Sequence, residues 1–344
     1  MKQLIECVPN ISEGRNTVTI EQLKQTIIEV EGVKLLHTDI GYSANRTVFT
    51  FAGTPESIVE AAYCLIQKAS QLINMEKHTG THPRIGAVDV CPLVPIAGIT
   101  MDETVIYAKM LADRVGEELH LPIYCYGYAS GSEGRFHLEN IRRGQYEGLK
   151  EKMVKTEWKP DYGTSEFNAR FGAMAIGARN YLIAFNVNLD TKDISVAREI
   201  AEEIRESGYL MKGTTDIKKV SVRIPGKLKA VKAIGWYADE FNCSQVSTNI
   251  IDYKTTSIYT VFETIVESAH RRNIEVTGSE IIGMVPLNSI ILTCETIEKA
   301  IVFLNDKEND DLLIEVQNKL GLILKNNGRF REKILENSMP DLFF

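Results

Sequence analysis

"VKLLHTDIGYSANRTVFTFAGTPESIVEAAYCLIQKASQLI", residues 33–73, reads as two strands around a polar loop, followed by a long amphipathic helix. The strands are recognised by alternation and the helix by apolar residues three and four apart. A second stretch repeats that design. "LKAVKAIGWYADEFNCSQVSTNIIDYKTTSIYTVFETIVESAHRRN", residues 228–273, again gives two strands, a polar loop and a helix. Each stretch is preceded by a strand and a helix: "QLIECVPNI" and "TIEQLKQTIIEVE" before the first, "YLIAFNVNL" and "DISVAREIAEEIRES" before the second. Each is followed by a short apolar strand, "IGAVDVCPLVP" at 85–95 and "SEIIGMVPLN" at 279–288. The order β-α-β-β-α-β, written twice, is the split βαβ unit of ferredoxin-like folds.

The expected fold is therefore α/β (α+β), built from two related ferredoxin-like subdomains, with a ligand cleft as the default site. Residues 1–181 are assigned to the first subdomain, 182–326 to the second and 327–344 to a C-terminal tail. Capping residues support the helix starts: Thr54 before "PES", Ser257 after two threonines, and Asp193 before "ISVAREI". Between the copies lie a helix at 102–119, a strand at 122–128, a Gly/Ser loop at 129–135 and a polar helix at 138–154. A long loop-rich stretch then fills 163–181. A further helical region is expected over 296–322.

Composition narrows the function classes. The chain has 344 residues, 44% hydrophobic and 25% charged, with a net charge of −7. No basic footprint for nucleic acid is present, and no apolar run reaches the length of about 20 residues that a membrane span needs. Six cysteines are scattered without a CxxC pair, as expected for free thiols in a reducing compartment. The N-terminus turns polar after a short apolar run, unlike a secretory leader. A cytoplasmic protein is expected.

Two clusters could carry chemistry. In "HTGTHPRIG", 78–86, His78 and His82 stand four apart, the spacing of a helical metal pair. Gly80 between them and Pro83 after them argue against a helix, so no metal is expected. Pro83 biases His82 toward extended backbone at the mouth of a strand. From the residues alone, His82 is either surface decoration or a proton-transfer group. In "HTDIGYSANRTVF", 37–49, His37 and Asp39 share a strand face, ahead of Asn45 and Arg46. That cluster is either turn chemistry or a carboxylate and an amide presented to a polar substrate. "GYASGSEGR", 127–135, lacks the features of a phosphate loop.

Ten segments together resemble the formiminotransferase family, the folate-dependent glutamate formimidoyltransferases of histidine breakdown. They are "ECVPNISEG", "NRTVFTFAGTPE", "GTHPRIGAVDVCPLVP", "GITMDE", "PIYCYG", "EWKPDYG", "GARNYLIAFNVNL", "KAIGWY", "QVSTNIIDY" and "GMVP". The resemblance runs from residue 4 to about 325. It implies two α/β subdomains meeting at a folate cleft or tunnel, and transfer of a formimidoyl group from N-formimidoyl-L-glutamate to N5 of tetrahydrofolate. Tetrahydrofolate, with polyglutamylated forms left open, would be a co-substrate. Carried over by position, His82 is the catalytic base and Asp39 an acidic residue of the site. Gly163, Thr164, Ser165, Glu166, Phe167, Asn168, Ala169, Arg170, Phe171 and Gly172 match the folate-contact stretch. Asn45 is taken with the substrate-binding group, and Arg46, Arg84, Arg170 and Arg179 are the arginines considered for substrate carboxylates. A homodimer acting on small molecules alone is expected. A formyl donor, or a non-catalytic folate-binding protein on the same fold, are the alternatives. The segment 208–227 looks longer than the family carries, as a surface hairpin or an insertion. A stand-alone form, without a cyclodeaminase domain, is expected.

Overall fold

The computed structural model describes residues 2–212, 221–293, 311–324 and 329–339. The chain divides into two compact units, Met1–Asn180 and Tyr181–Phe344.

The first unit opens with β1 (Leu4–Cys7), β2 (Asn10–Ile11), α1 (Thr17–Ile28), β3 (Val33–Gly41), β4 (Arg46–Gly53), α2 (Pro55–Leu72) and β5 (Val88–Ala97). Both β1 and β2 lie between β4 and β5 and run antiparallel to them, and β3 pairs with the far side of β4. This is the expected split βαβ arrangement. Then follow α3 (Met101–Leu119), β6 (Ile123–Gly127), the short helices α4 (Glu133–Phe136), α5 (Leu138–Arg142) and α6 (Leu149–Met153), and β7 (Met174–Ala178). β7 inserts parallel to both β5 and β6 and extends the sheet.

Periodicity sets what is buried. In α2, Ile58, Ala62, Leu65 and Ala69 recur at helical spacing and pack with Phe49, Phe51 and Leu93 from the sheet. The other face of the β5, β7 and β6 region is covered too. There Val90, Ala175, Tyr124 and Tyr126 meet Ile141, Leu149 and Met153. Parallel strands buried on both faces read as continuous apolar runs. For that reason "MAIGA" gives no alternation, and the stretch expected as loop over 163–181 in fact contains the strand β7.

The second unit repeats the plan with β8 (Ile183–Leu189), α7 (Ile194–Ile204), β11 (Val231–Ala238), β12 (Cys243–Ile250), α8 (Ile258–His270) and β13 (Val276–Ile282). Its sheet order is β11-β12-β8-β13, which places the first strand between the third and fourth as in the first unit. β9 (Tyr209–Lys212) and β10 (Ser221–Ile224) form a separate antiparallel ribbon at the flanks of the 208–227 segment, and 213–220 lie outside the described residues. The chain then runs through α9 (Leu287–Ile291), α10 (Asp311–Lys319) and α11 (Leu335–Ser338). Only α10 of the helical region expected at 296–322 is described up to Lys319; residues 294–310 lie outside the described set. Phe330, Ile334 and Leu335, in the segment assigned as a tail, are buried, and the first two join the core of this unit.

Two local expectations are corrected. The polar helix expected over 138–154 is broken between α5 and α6, where Gly144 and Gln145 take positive φ values of 88° and 54°. Thr54 occupies the N-cap of α2, but its hydroxyl donates to Ser57 Oγ at 3.0 Å instead of accepting a backbone N–H. Ser257 and Asp193 do cap their helices, accepting from the N–H groups of Thr260 and Ser195. Cys7, Cys64, Cys91, Cys125 and Cys243 are free thiols. No helix among the described residues is long and apolar enough to cross a membrane.

Candidate active site

A bulge creates the core of the site. Asn10 pairs with Val90 and Ile11 with Val88, so Asp89 is the extra residue on β5. Its carboxylate is fully buried. Oδ1 accepts from the Ile85 N–H at 3.0 Å, and Oδ2 accepts from Arg46 Nη1 at 3.0 Å. Arg142, from α5, donates Nε to Oδ1 at 3.3 Å and Nη2 to Oδ2. Arg46, the first residue of β4, also donates Nε to Asn10 Oδ1 at 2.9 Å.

Arg46 reaches onward to a histidine. Its Nη1 lies 2.8 Å from His82 Nδ1, which is also 2.7 Å from the Pro83 carbonyl. One lone pair cannot serve both contacts. Donation to Pro83 leaves the acceptor lone pair on Nε2, whereas acceptance from Arg46 puts the proton there. Burial, then the charges of Arg46 and Arg142, push the His82 pKa well below the ordinary 6.5 and outweigh the opposing pull of Asp89. The ring is therefore neutral at pH 7. Burial alone would raise the Asp89 carboxyl, but Arg142 and Arg46 outweigh it and hold its pKa below the usual value. Burial lowers Arg46 to about 10, which leaves it charged at neutral pH.

The segment bearing His82 is not helical: it bends at Thr81 and His82, and the 3₁₀ turn at Met75–Lys77 ends before it. His78 accepts at Nδ1 from Arg84 Nε, 3.3 Å away, and donates from Nε2 to the Asn45 carbonyl at 2.9 Å. Both of its ring nitrogens are thus engaged, so His78 is a brace. Asn45, at φ 47°, completes the brace: Oδ1 accepts from Gly14 N–H at 2.9 Å and Nδ2 donates to Thr79 O at 2.8 Å. A Cβ at Gly80 would stand 2.3 Å from the Ala44 carbonyl oxygen. Gly80→Ala must push the two loops apart, and a displacement near 1 Å at a reacting group costs on the order of 10²-fold in turnover. A loss of that size, together with a lowered melting temperature from the displaced loops, is expected from steady-state rates and a melting curve.

Other expected site residues are dispersed. Asp39 is 8% exposed and pairs with His37 at 3.1 Å. It shares a register row with Val48 and Asn10, so it stands two strands from Asn10, about 10 Å at ordinary strand spacing. Arg84 is buried in a two-pronged pair with Glu147 at 2.8 and 2.6 Å. Arg46 and Arg84 therefore both pair with carboxylates of the protein, Asp89 and Glu147. Arg170 is exposed and donates to the Gln71 carbonyl at 2.6 Å; Arg179 donates to the Asn180 carbonyl at 2.9 Å.

The stretch 163–172 is not one surface. Gly163 packs against Gly116 and Leu121 and, with Thr164, lines a cavity of about 430 Å³ shared with Asp113, Glu117 and His120. Ser165 and Glu166 are exposed. Phe167 lies against Tyr146, whose hydroxyl donates to Ala169 O, and Asn168 Oδ1 accepts from Phe171 N–H at 3.0 Å. Phe171 is core, and Gly172, at φ 79°, sits against the Ile85 carbonyl. The middle of the stretch therefore lies near Tyr146 and the Arg84 segment, since Tyr146 N–H donates to Arg84 O at 2.9 Å.

Residues 4–179 match the family model "Formiminotransferase domain, N-terminal subdomain", and residues 184–340 match "Formiminotransferase domain". The chain belongs to the formiminotransferase family. It is 42% identical to glutamate formimidoyltransferase of Streptococcus pyogenes serotype M1, over 86% of the chain and 93% of that protein. It is 38% identical to glutamate formimidoyltransferase of Thermoplasma acidophilum, over 84% of the chain and 90% of that protein. Against formimidoyltransferase-cyclodeaminase of Rattus norvegicus, identity is 44% over 99% of the chain, which spans 61% of that relative's length.

In this formiminotransferase N-terminal subdomain, three residues of the cluster escaped the sequence reading: Asn10, Asp89 and Arg142. Asp89 had a signal, a lone charge inside the apolar run "AVDVCP". Arg142 had none, because only the approach of α5 to the bulge makes it relevant.

Proposed function

We propose that this chain transfers the formimidoyl group of N-formimidoyl-L-glutamate to N5 of tetrahydrofolate, releasing L-glutamate, in histidine breakdown. The observation that carries this reading is a part-buried, neutral His82 held between Arg46 and the Pro83 carbonyl, in a chain 42% identical to a protein named glutamate formimidoyltransferase. N5 attacks the amidine carbon while His82 Nε2 accepts the N5 proton. The base form has Nδ1–H donating to Pro83 O. The tetrahedral intermediate collapses with the proton returned to the leaving amine of glutamate. A histidine that is neutral at rest can take and return a proton in this way.

Asp39 is assigned to the cationic amidine. The carboxylates of the substrates fall to Arg170 and Arg179, while Arg84 reaches them only by exchanging Glu147. Residues 163–172 and Asn45 are assigned to folate, with the segment around Phe167 to Ala169 foremost. Subdomains 1–181 and 182–326, a cytoplasmic homodimer, small-molecule partners only and catalysis without a metal complete the reading. The net charge of −7 agrees with the lack of a nucleic-acid partner.

The donor comparison tests it. With tetrahydrofolate as acceptor, kcat/KM for N-formimidoyl-L-glutamate should exceed that for N-formyl-L-glutamate by about 10²-fold or more, since a site matched to a charged N–H donor rejects the oxygen analogue. Equal values, or a preference for the formyl donor, would reverse the assignment.

A further inference from the structure

Three charged side chains beside His82 come from parts of the sequence far apart. Asp89 lies 43 residues from Arg46 and 53 from Arg142, yet accepts from both. Arg142 is itself fixed from behind. Lys152 Nζ donates to the carbonyls of Asn140 and Ile141 at 2.7 Å and of Arg143 at 3.1 Å, closing the end of α5. The same ammonium lies 3.7 Å over the ring of Trp158. A buried charge is retained at a cost unless partners hold it in good geometry, and here every partner converges on one carboxylate.

We propose that Asp89 is a positioning residue for His82: by pairing with Arg46 and Arg142 together, it fixes both guanidiniums beside the imidazole, and this charge arrangement governs when the ring takes a proton. The inference rests on the reading of His82 as the proton-transfer group. Among the groups acting on the ring are Arg46 from β4, Arg142 from α5, Asp89 from β5 and the Pro83 carbonyl of its own segment. These two cations and one anion together contribute a net charge of +1 beside the ring. Asp89→Asn raises that to +2 and must move the protonation of His82 to lower pH. Arg142→Gln reduces it to 0 and must move protonation to higher pH. A purely structural role has no reason to shift the ring in opposite directions.

The test is a ¹H–¹⁵N titration of the histidine rings in the full chain, with the His82 signals assigned by their loss in His82→Gln, alongside the pH dependence of kcat/KM. For Arg142→Gln the His82 midpoint should rise by about 1 or more on the pH scale, the effect of one nearby charge. Arg142→Lys, which keeps the charge, should restore it toward wild type, and Asp89→Asn should lower it. Unmoved midpoints, or shifts of one sign in both variants, overturn the proposal. If Asp89→Asn does not fold, the Arg142 pair decides alone: a rise in the glutamine variant with restoration by lysine supports the proposal, and its absence overturns it. Opposite NMR shifts without matching shifts in kcat/KM would uphold the positioning role and sink the catalytic assignment of His82.

Discussion

Replacing His82 by glutamine should lower turnover by about 10²- to 10⁴-fold, the range of a single general base, without unfolding the protein. Glutamine fills most of the imidazole volume, and its amide offers both an acceptor for Arg46 Nη1 and a donor for the Pro83 carbonyl, so the Asp89 cluster is preserved. Because proton transfer belongs to the transition state, kcat and kcat/KM should fall together and KM should change little. The pH profile gives a second reading of the same variant. A base works when unprotonated, and the environment of His82 moves its protonation below the usual 6.5. Wild-type kcat/KM should therefore hold as pH falls through 6.5 and decline only at more acid pH. That decline should vanish in His82→Gln. Wild-type rates in the variant would remove His82 from the mechanism.

Asp89→Ala should cost about 3–5 kcal/mol of stability, the range for breaking a buried ion pair by deleting one partner. The alanine leaves Arg46, buried and charged, without its carboxylate, and leaves the Ile85 N–H without its acceptor. The sign with pH follows from the lowered Asp89 carboxyl. Its folded pKa lies below its unfolded value, so the contribution is complete above the unfolded pKa and is lost as pH falls through the folded one. The gap between wild type and Asp89→Ala in urea midpoint should thus be full at pH 7 and narrow toward pH 3. A gap independent of pH would show that the charge of Asp89 contributes nothing.

The two subdomains were legible because each carries alternating strands and helices with one apolar stripe, and in the second Ser257 and Asp193 also mark helix starts. Gly80 and Pro83 were equally informative, since both act through their own backbone and excluded a helical histidine pair. What sequence did not reveal depends on tertiary approach. β7 is buried on both faces and so lacks alternation. The bulge at Asp89 is a matter of register between β2 and β5, which no local pattern records. Arg46 reads as an available cation until Asn10, Asp89 and His82 are brought around it, and Arg142 acquires a role only when α5, shortened at Gly144, docks over the sheet. Core polar residues whose partners are distant in sequence are invisible for the same reason that they are specific.

The most direct measurement is product formation by the purified chain supplied with N-formimidoyl-L-glutamate and tetrahydrofolate. The expected products are 5-formimidoyltetrahydrofolate and L-glutamate in equal amounts over many turnovers, formed at a rate that collapses in His82→Gln. Absence of both products from wild-type protein at every pH between 6 and 9, with tetrahydrofolate intact, would contradict the proposed transfer.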